Sequence, residues 1–108
     1  MKKTLVRYKV KAGLVEENER LVKEVYKQLE QENIAGFHYC TMKLPDGVFI
    51  HIAFSDTEAD NERFTQLSAF KNFQAGIKQR CEEPPVAQAA SLVGSHDFFA
   101  DALALRID

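Results

Sequence analysis

The stretch Phe37-His38-Tyr39-Cys40-Thr41-Met42-Lys43-Leu44-Pro45-Asp46-Gly47-Val48-Phe49-Ile50-His51-Ile52-Ala53-Phe54 decides how this chain folds. Two runs rich in aromatic and β-branched residues flank Pro45-Asp46-Gly47. Proline presets one backbone torsion and glycine accepts positive φ, so these three residues are turn chemistry. The stretch therefore predicts a β-hairpin with strands over 37–44 and 48–54. Strand side chains alternate between faces, so Val48, Ile50, Ile52 and Phe54 point one way and Phe49, His51 and Ala53 the other. The first set is wholly apolar and is expected to meet the helices. With Leu44 and Val48 on a common face beside the turn, His38, Cys40 and Met42 join the helix side. Phe37, Tyr39, Thr41 and Lys43 then take the open side. A slip of one residue would exchange the two sets.

Working outward, Leu5 to Lys11 alternates with period two, placing Val6, Tyr8 and Val10 toward the helices and Arg7 and Lys9 on the open face. From Leu14 to about Glu32, the residues Leu21, Val22, Val25 and Leu29 share one helical face. Glu16, Glu17 and Glu19 occupy its first turns, where the helix dipole favours acids, and Asn33 and Gly36 suit the left-handed conformations beyond its end. After the hairpin, Asp56, Asp60 and Asn61 are candidate caps for a second helical region over roughly 62–82. There Phe64, Leu67, Phe70, Phe73, Ile77 and Cys81 recur every three or four residues, which is the spacing of a core-facing stripe. Glu83-Pro84-Pro85 is expected to stop it, and Val86 to Val93 reads as a last strand. The tail over 95–108 holds Phe98, Phe99, Leu103, Leu105 and Ile107, so it is expected to dock. The order β-α-β-β-α-β predicts one α+β domain over 1–108 of the ferredoxin-like kind. It has a four-stranded antiparallel sheet with two helical regions on one face. In that topology the first and third strands are neighbours, which brings Arg7 and Lys9 near His51.

Composition narrows the function classes. The chain has 108 residues, 45% hydrophobic and 28% charged, the profile of a single globular domain. It has no run of about 18 apolar residues, so no transmembrane helix and no membrane partner is expected. The opening residues alternate polar and apolar, unlike a signal peptide. A net charge of −2 argues against a general nucleic-acid binder. The hairpin also fails as an RNA-binding sheet, because Asp46 replaces a basic residue and Val48 and Ile50 stand where stacking aromatics belong. Cys40 and Cys81 form no CxxC pair, which points to free thiols in the cytoplasm. His38, His51 and His96 lack metal-ligand spacing, so no metal is expected. Gly94-Ser95-His96-Asp97 cannot form a Ser-His-Asp triad, because sequence neighbours do not adopt the relayed geometry.

The open face therefore mixes bases and aromatics, and a partner subunit or a small ligand would cover it. His51 is the candidate catalytic residue, since imidazole titrates near neutral pH and can take a proton from a phenol or quinol. Arg7, whose guanidinium is a planar donor fork, could hold an anionic oxygen. Tyr39 could orient a ligand oxygen, and Phe49 lies in the same set. Each also has a purely structural reading, as a packed histidine, an ion-paired arginine or an interface aromatic.

The chain resembles the dimeric α+β barrel superfamily, near its antibiotic-biosynthesis-monooxygenase-like group of small bacterial proteins. The residues that carry the resemblance span most of the chain. They include Val6-Arg7-Tyr8-Lys9-Val10-Lys11, Glu16-Glu17-Asn18-Glu19 and Gly47-Val48-Phe49-Ile50-His51-Ile52. Phe70-Lys71-Asn72-Phe73-Gln74, Glu83-Pro84-Pro85 and Val93-Gly94-Ser95 continue it. The resemblance implies a homodimer whose two sheets face each other, closing an eight-stranded barrel. Some relatives oxidise quinols or polyketide aromatics with dioxygen and neither metal nor flavin. A haem-degrading branch relies on a tryptophan, and this chain has none. Two functions follow as expectations: a cofactor-independent monooxygenase acting on a small aromatic or quinol, or a non-catalytic homodimeric small-molecule-binding or structural module.

Overall fold

The hairpin forms where its turn residues put it. The computed structural model describes residues 1–98. Strands β2 (Phe37–Lys43) and β3 (Val48–Ser55) meet across the turn, with Gly47 at φ 78°. Strand β1 (Lys2–Val10) pairs antiparallel with β3 and with β4 (Cys81–Ala89), giving the order β2-β3-β1-β4. The fold is α+β and ferredoxin-like, with β1 and β3 adjacent at the centre, as the element order predicts.

One 3-10 turn (Ala12–Leu14) leads into helix α1 (Val15–Glu32), which buries Asn18, Val22 and Val25. Asn33 closes it at φ 49°. The expected second helical region differs in detail. It is three pieces: α2 (Glu58–Thr65), α3 (Ser68–Ala75) and α4 (Ile77–Arg80). Leu67 is extended at φ −60°, ψ 132°, and Gly76 sits at φ −111°, ψ 10°; each breaks the helical run. The cap of α2 is Thr57, not Asp56, Asp60 or Asn61. Its hydroxyl accepts from Asp60 N, and Thr57 N donates back to the Asp60 carboxylate. This reciprocal pair starts the helix at Glu58, four residues before the expected start at 62.

Strand β4 begins at Cys81 and not at Val86, with Pro84 and Pro85 inside it. Prolines fit because β4 is an edge strand, and its pairing with β1 shifts register between Arg7 and Lys9. Of the tail expected to dock, residues 99–108 lie outside the described residues. Among the described residues, no helix is long and apolar enough to cross a membrane.

The largest correction concerns the faces of the hairpin. Tyr8 stands directly opposite Phe49, and Thr41 opposite His51, and directly opposed residues share a face. Tyr8 does meet the helices, so Phe49 and His51 must also, and Phe37, Tyr39, Thr41 and Lys43 go with them. Phe49 and His51 are 1% and 4% exposed. The two sets hold together as predicted but occupy opposite faces. The far side of the sheet carries Leu5, Cys40, Met42, Ile50, Ile52 and Val86. Hydrophobicity did not separate the faces because both are apolar.

Gly36 supplies a prediction. It sits at φ 73°, and a Cβ there would collide with the Asp60 carboxylate that holds the α2 cap. Gly36→Ala combines left-handed backbone strain with loss of a cap, together about 2–3 kcal/mol of stability. Urea unfolding of the variant reads this directly; an unmoved midpoint would contradict the packing.

Candidate functional site

Between the sheet and the helices lies a chain of buried polar side chains centred on His51. Strand alternation aims Tyr8, Tyr39, Thr41 and His51 at the helix layer. On α1, Asn18 sits on the same stripe as Val22, Val25 and Leu29, so a polar residue occupies a core position. Arg80 ends α4, where the chain turns into β4.

The hydrogen bonds have a direction. A guanidinium only donates. Arg80 Nε donates to Asn18 Oδ1 at 3.0 Å, which turns Asn18 Nδ2 toward Tyr8, to whose hydroxyl oxygen it donates at 2.9 Å. The Tyr8 proton then points to His51 Nε2, 2.8 Å away. His51 thus carries its proton on Nδ1, facing Tyr39 Oη at 2.9 Å and Thr41 Oγ1 at 2.8 Å. The other tautomer would leave the Tyr8 proton without an acceptor. The Thr41 hydroxyl also meets Tyr26 Oη at 2.7 Å. Every fully buried side-chain nitrogen and oxygen among the described residues has a partner.

Aromatic rings enclose the imidazole. Tyr8 and Tyr39 stack on it with centroids at 5.3 and 5.5 Å, and Phe73 meets it edge-on at 5.7 Å. This dry setting penalises charge. Burial lowers the His51 pKa to about 4, so the ring is neutral at pH 7. Burial likewise pushes the Tyr8, Tyr26 and Tyr39 phenols well above their ordinary range, so each stays protonated. Chemically, the arrangement is a neutral proton acceptor in an aromatic cage, wired to phenols on both ring nitrogens.

The expected site residues divide. His51 and Tyr39 come together, and both line a small void with Val22, Val25 and Phe73 that is too tight for a water molecule. Phe49 lies beneath Tyr8, stacked at 5.5 Å, and does not border the void. Arg7 stands on the far face of the sheet, opposite Ile50, and pairs with Glu83 at 3.3 Å. The expected closeness of Arg7 and His51 fails because adjacent positions on neighbouring strands point to opposite faces. Sequence reasoning did not single out Asn18 or Arg80. The available signal was spacing: Asn18 and Arg80 interrupt stripes of apolar residues at helical intervals. Among the described residues, no group of three or more His, Cys, Asp or Glu side chains could hold a metal ion.

Solved structures share this architecture. A Nitrosomonas europaea protein provisionally assigned as an antibiotic biosynthesis monooxygenase superposes with a TM-score of 0.73 at 14% identity, covering 87% of this chain and all of that one. A similarly assigned protein from Bacteroides thetaiotaomicron gives 0.75 at 14% identity, over 86% of this chain and 90% of its own. One from Caulobacter crescentus gives 0.71 at 16%, over 85% and 89%. The chain thus shares the fold of these solved structures. No family model and no curated protein matches the sequence.

Proposed function

We propose that the protein is a homodimeric, cofactor-independent monooxygenase acting on a small phenol or quinol, with His51 as the base and Tyr39 orienting the substrate oxygen. The observation that carries this reading is the neutral His51 imidazole, caged by aromatic rings and hydrogen-bonded at both nitrogens to hydroxyls. Because Nδ1 already carries the ring proton, the Tyr8 hydroxyl passes its proton to Nε2 and takes that of the substrate phenol, which creates phenolate beside imidazolium. In a dry cage such a pair is strongly attracted, which offsets the low basicity of the isolated ring. The electron-rich phenolate can then reduce dioxygen. The overall reaction is phenol plus dioxygen giving quinone plus water. One oxygen atom enters the ring as the new carbonyl. The other leaves as water with the hydrogens lost from the ring carbon and the hydroxyl. All electrons come from the substrate, so no external reductant is consumed.

The names of the structural neighbours support the reaction class, and the apolar far face of the sheet supports the dimer. Met42 and Val86 on that face are 44% and 58% exposed in the single chain, surface that a second sheet would cover. Free Cys40 and Cys81 agree with a reducing compartment, the cytoplasm. One observation favours the second reading, a non-catalytic homodimeric module: the void beside His51 is closed, so a substrate gains access only if Phe73 or a neighbour moves.

Oxygen-electrode assays over a panel of quinols and phenols test the proposal. Wild-type protein is expected to consume oxygen with a susceptible substrate. His51→Ala is expected to lower the rate at least ~100-fold, with the dimer mass retained. Uptake unchanged in the variant, or absent from the wild type across the panel, would exclude the catalytic reading.

A further inference from the structure

Among the described residues, no carboxylate balances the buried cation beside this site. Arg80 is 7% exposed. Its guanidinium donates to Asn18 Oδ1 and, through Nη2, to Phe73 O at 2.6 Å, and it lies 5.2 Å from the Phe73 ring centre. Among the described residues, no Asp or Glu comes within ion-pair distance of it. The groups facing it are Asn18 and the more distant Glu17 of α1, Tyr8 of β1 and Cys81 of β4. Glu17 is already engaged by Arg20, and burial keeps the Tyr8 phenol and the Cys81 thiol protonated. Beyond Tyr8, His51 is neutral, and Tyr39 and Tyr26 are protonated. The cluster therefore carries a single unmatched positive charge, and buried charges are ordinarily paired.

We infer that Arg80, acting through Asn18 and Tyr8, is a positioning and charge-balancing residue that makes the His51 site select the anionic form of an acidic phenol. This deepens the function proposed above and rests on it. The charge attracts an oxygen anion. The directed chain from Arg80 through Asn18 to Tyr8 holds donors aimed toward His51, where that anion would form. Arg80 also grips the backbone of Phe73, whose ring borders the void, so the same residue braces the wall that a ligand must displace.

The probe is 4-nitrophenol, whose phenolate and phenol forms absorb at different wavelengths. In the wild type, the phenolate-to-phenol ratio of bound probe is expected to exceed that of free probe at the same pH by about tenfold or more. Arg80→Met should bring the ratio to or below the free value, whereas Arg80→Lys should keep most of the preference. Asn18→Asp provides a nearly isosteric second variant: it places the missing carboxylate beside Arg80 and should abolish the preference in a folded protein. Thermal unfolding verifies the fold of each variant. A wild-type ratio no higher than that of free probe overturns the inference, and so does a folded Arg80→Met or Asn18→Asp protein that keeps the full preference. If the wild type consumes oxygen with a quinol but shows no phenolate preference, this inference fails and the His51 base stands. If it neither binds the probe nor consumes oxygen, both fail.

Discussion

Acidification from pH 7 to pH 4 is expected to remove on the order of 3 kcal/mol of stability through His51 alone. In the folded protein burial holds this imidazole at about 4, against 6.5 for an ordinary histidine. Between those values the unfolded chain binds a proton that the folded chain refuses. Unfolding therefore takes up a proton, and stability falls as pH falls. The stabilisation is fully present above pH 6.5 and is lost as pH drops through the window down to about 4. Carboxylates elsewhere also respond to acid, so the comparison must be differential. Urea unfolding at pH 7, 5.5 and 4 should show a markedly flatter pH dependence for His51→Gln than for the wild type. Parallel curves for the two proteins would mean that His51 is not buried in a dry cage.

The second large effect separates the two faces of the sheet. Phe49→Ala should cost about 3–5 kcal/mol, the usual loss for deleting a buried aromatic ring. Phe49 is 1% exposed and stacks under Tyr8, so the cavity would open beneath the polar chain itself. This loss should not depend on protein concentration. Ile52 sits one face away, opposite Leu5 and Cys40. Ile52→Lys is expected to leave the chain folded and convert the proposed dimer to monomer, seen as a halved mass in sedimentation across a concentration series. The opposite pattern, a tolerated Phe49→Ala and an Ile52→Lys chain that unfolds at every concentration, would restore the face assignment that hydrophobicity alone suggested. A wild-type monomer at all concentrations would refute the dimer.

That face assignment marks where sequence reasoning stopped. The hairpin, the long first helix and the strand order were legible because each depends on neighbours in the chain. Pro45-Asp46-Gly47 makes a turn wherever it occurs in such a context, and a period-two or three-to-four-residue apolar repeat reports its own element. The site was half legible. Their chemistry made His51 and Tyr39 candidates, and their common face followed from alternation. Arg7 was misplaced relative to them, because choosing the inward face requires knowing what packs against it.

Local patterns in the chain thus established the β-α-β-β-α-β order, the hairpin and the membership of each strand face. Which face met the helices was decided by cross-strand register, since Tyr8 brings Phe49 and His51 inward whatever their hydrophobicity. The polar chain depended on tertiary packing even more. Arg80 and Asn18 are 62 residues apart in sequence, and Tyr8 and His51 are 43 apart. Hydrogen bonds act only over about 3 Å, so groups so distant in sequence become one site only after strands pair and α1 packs across them.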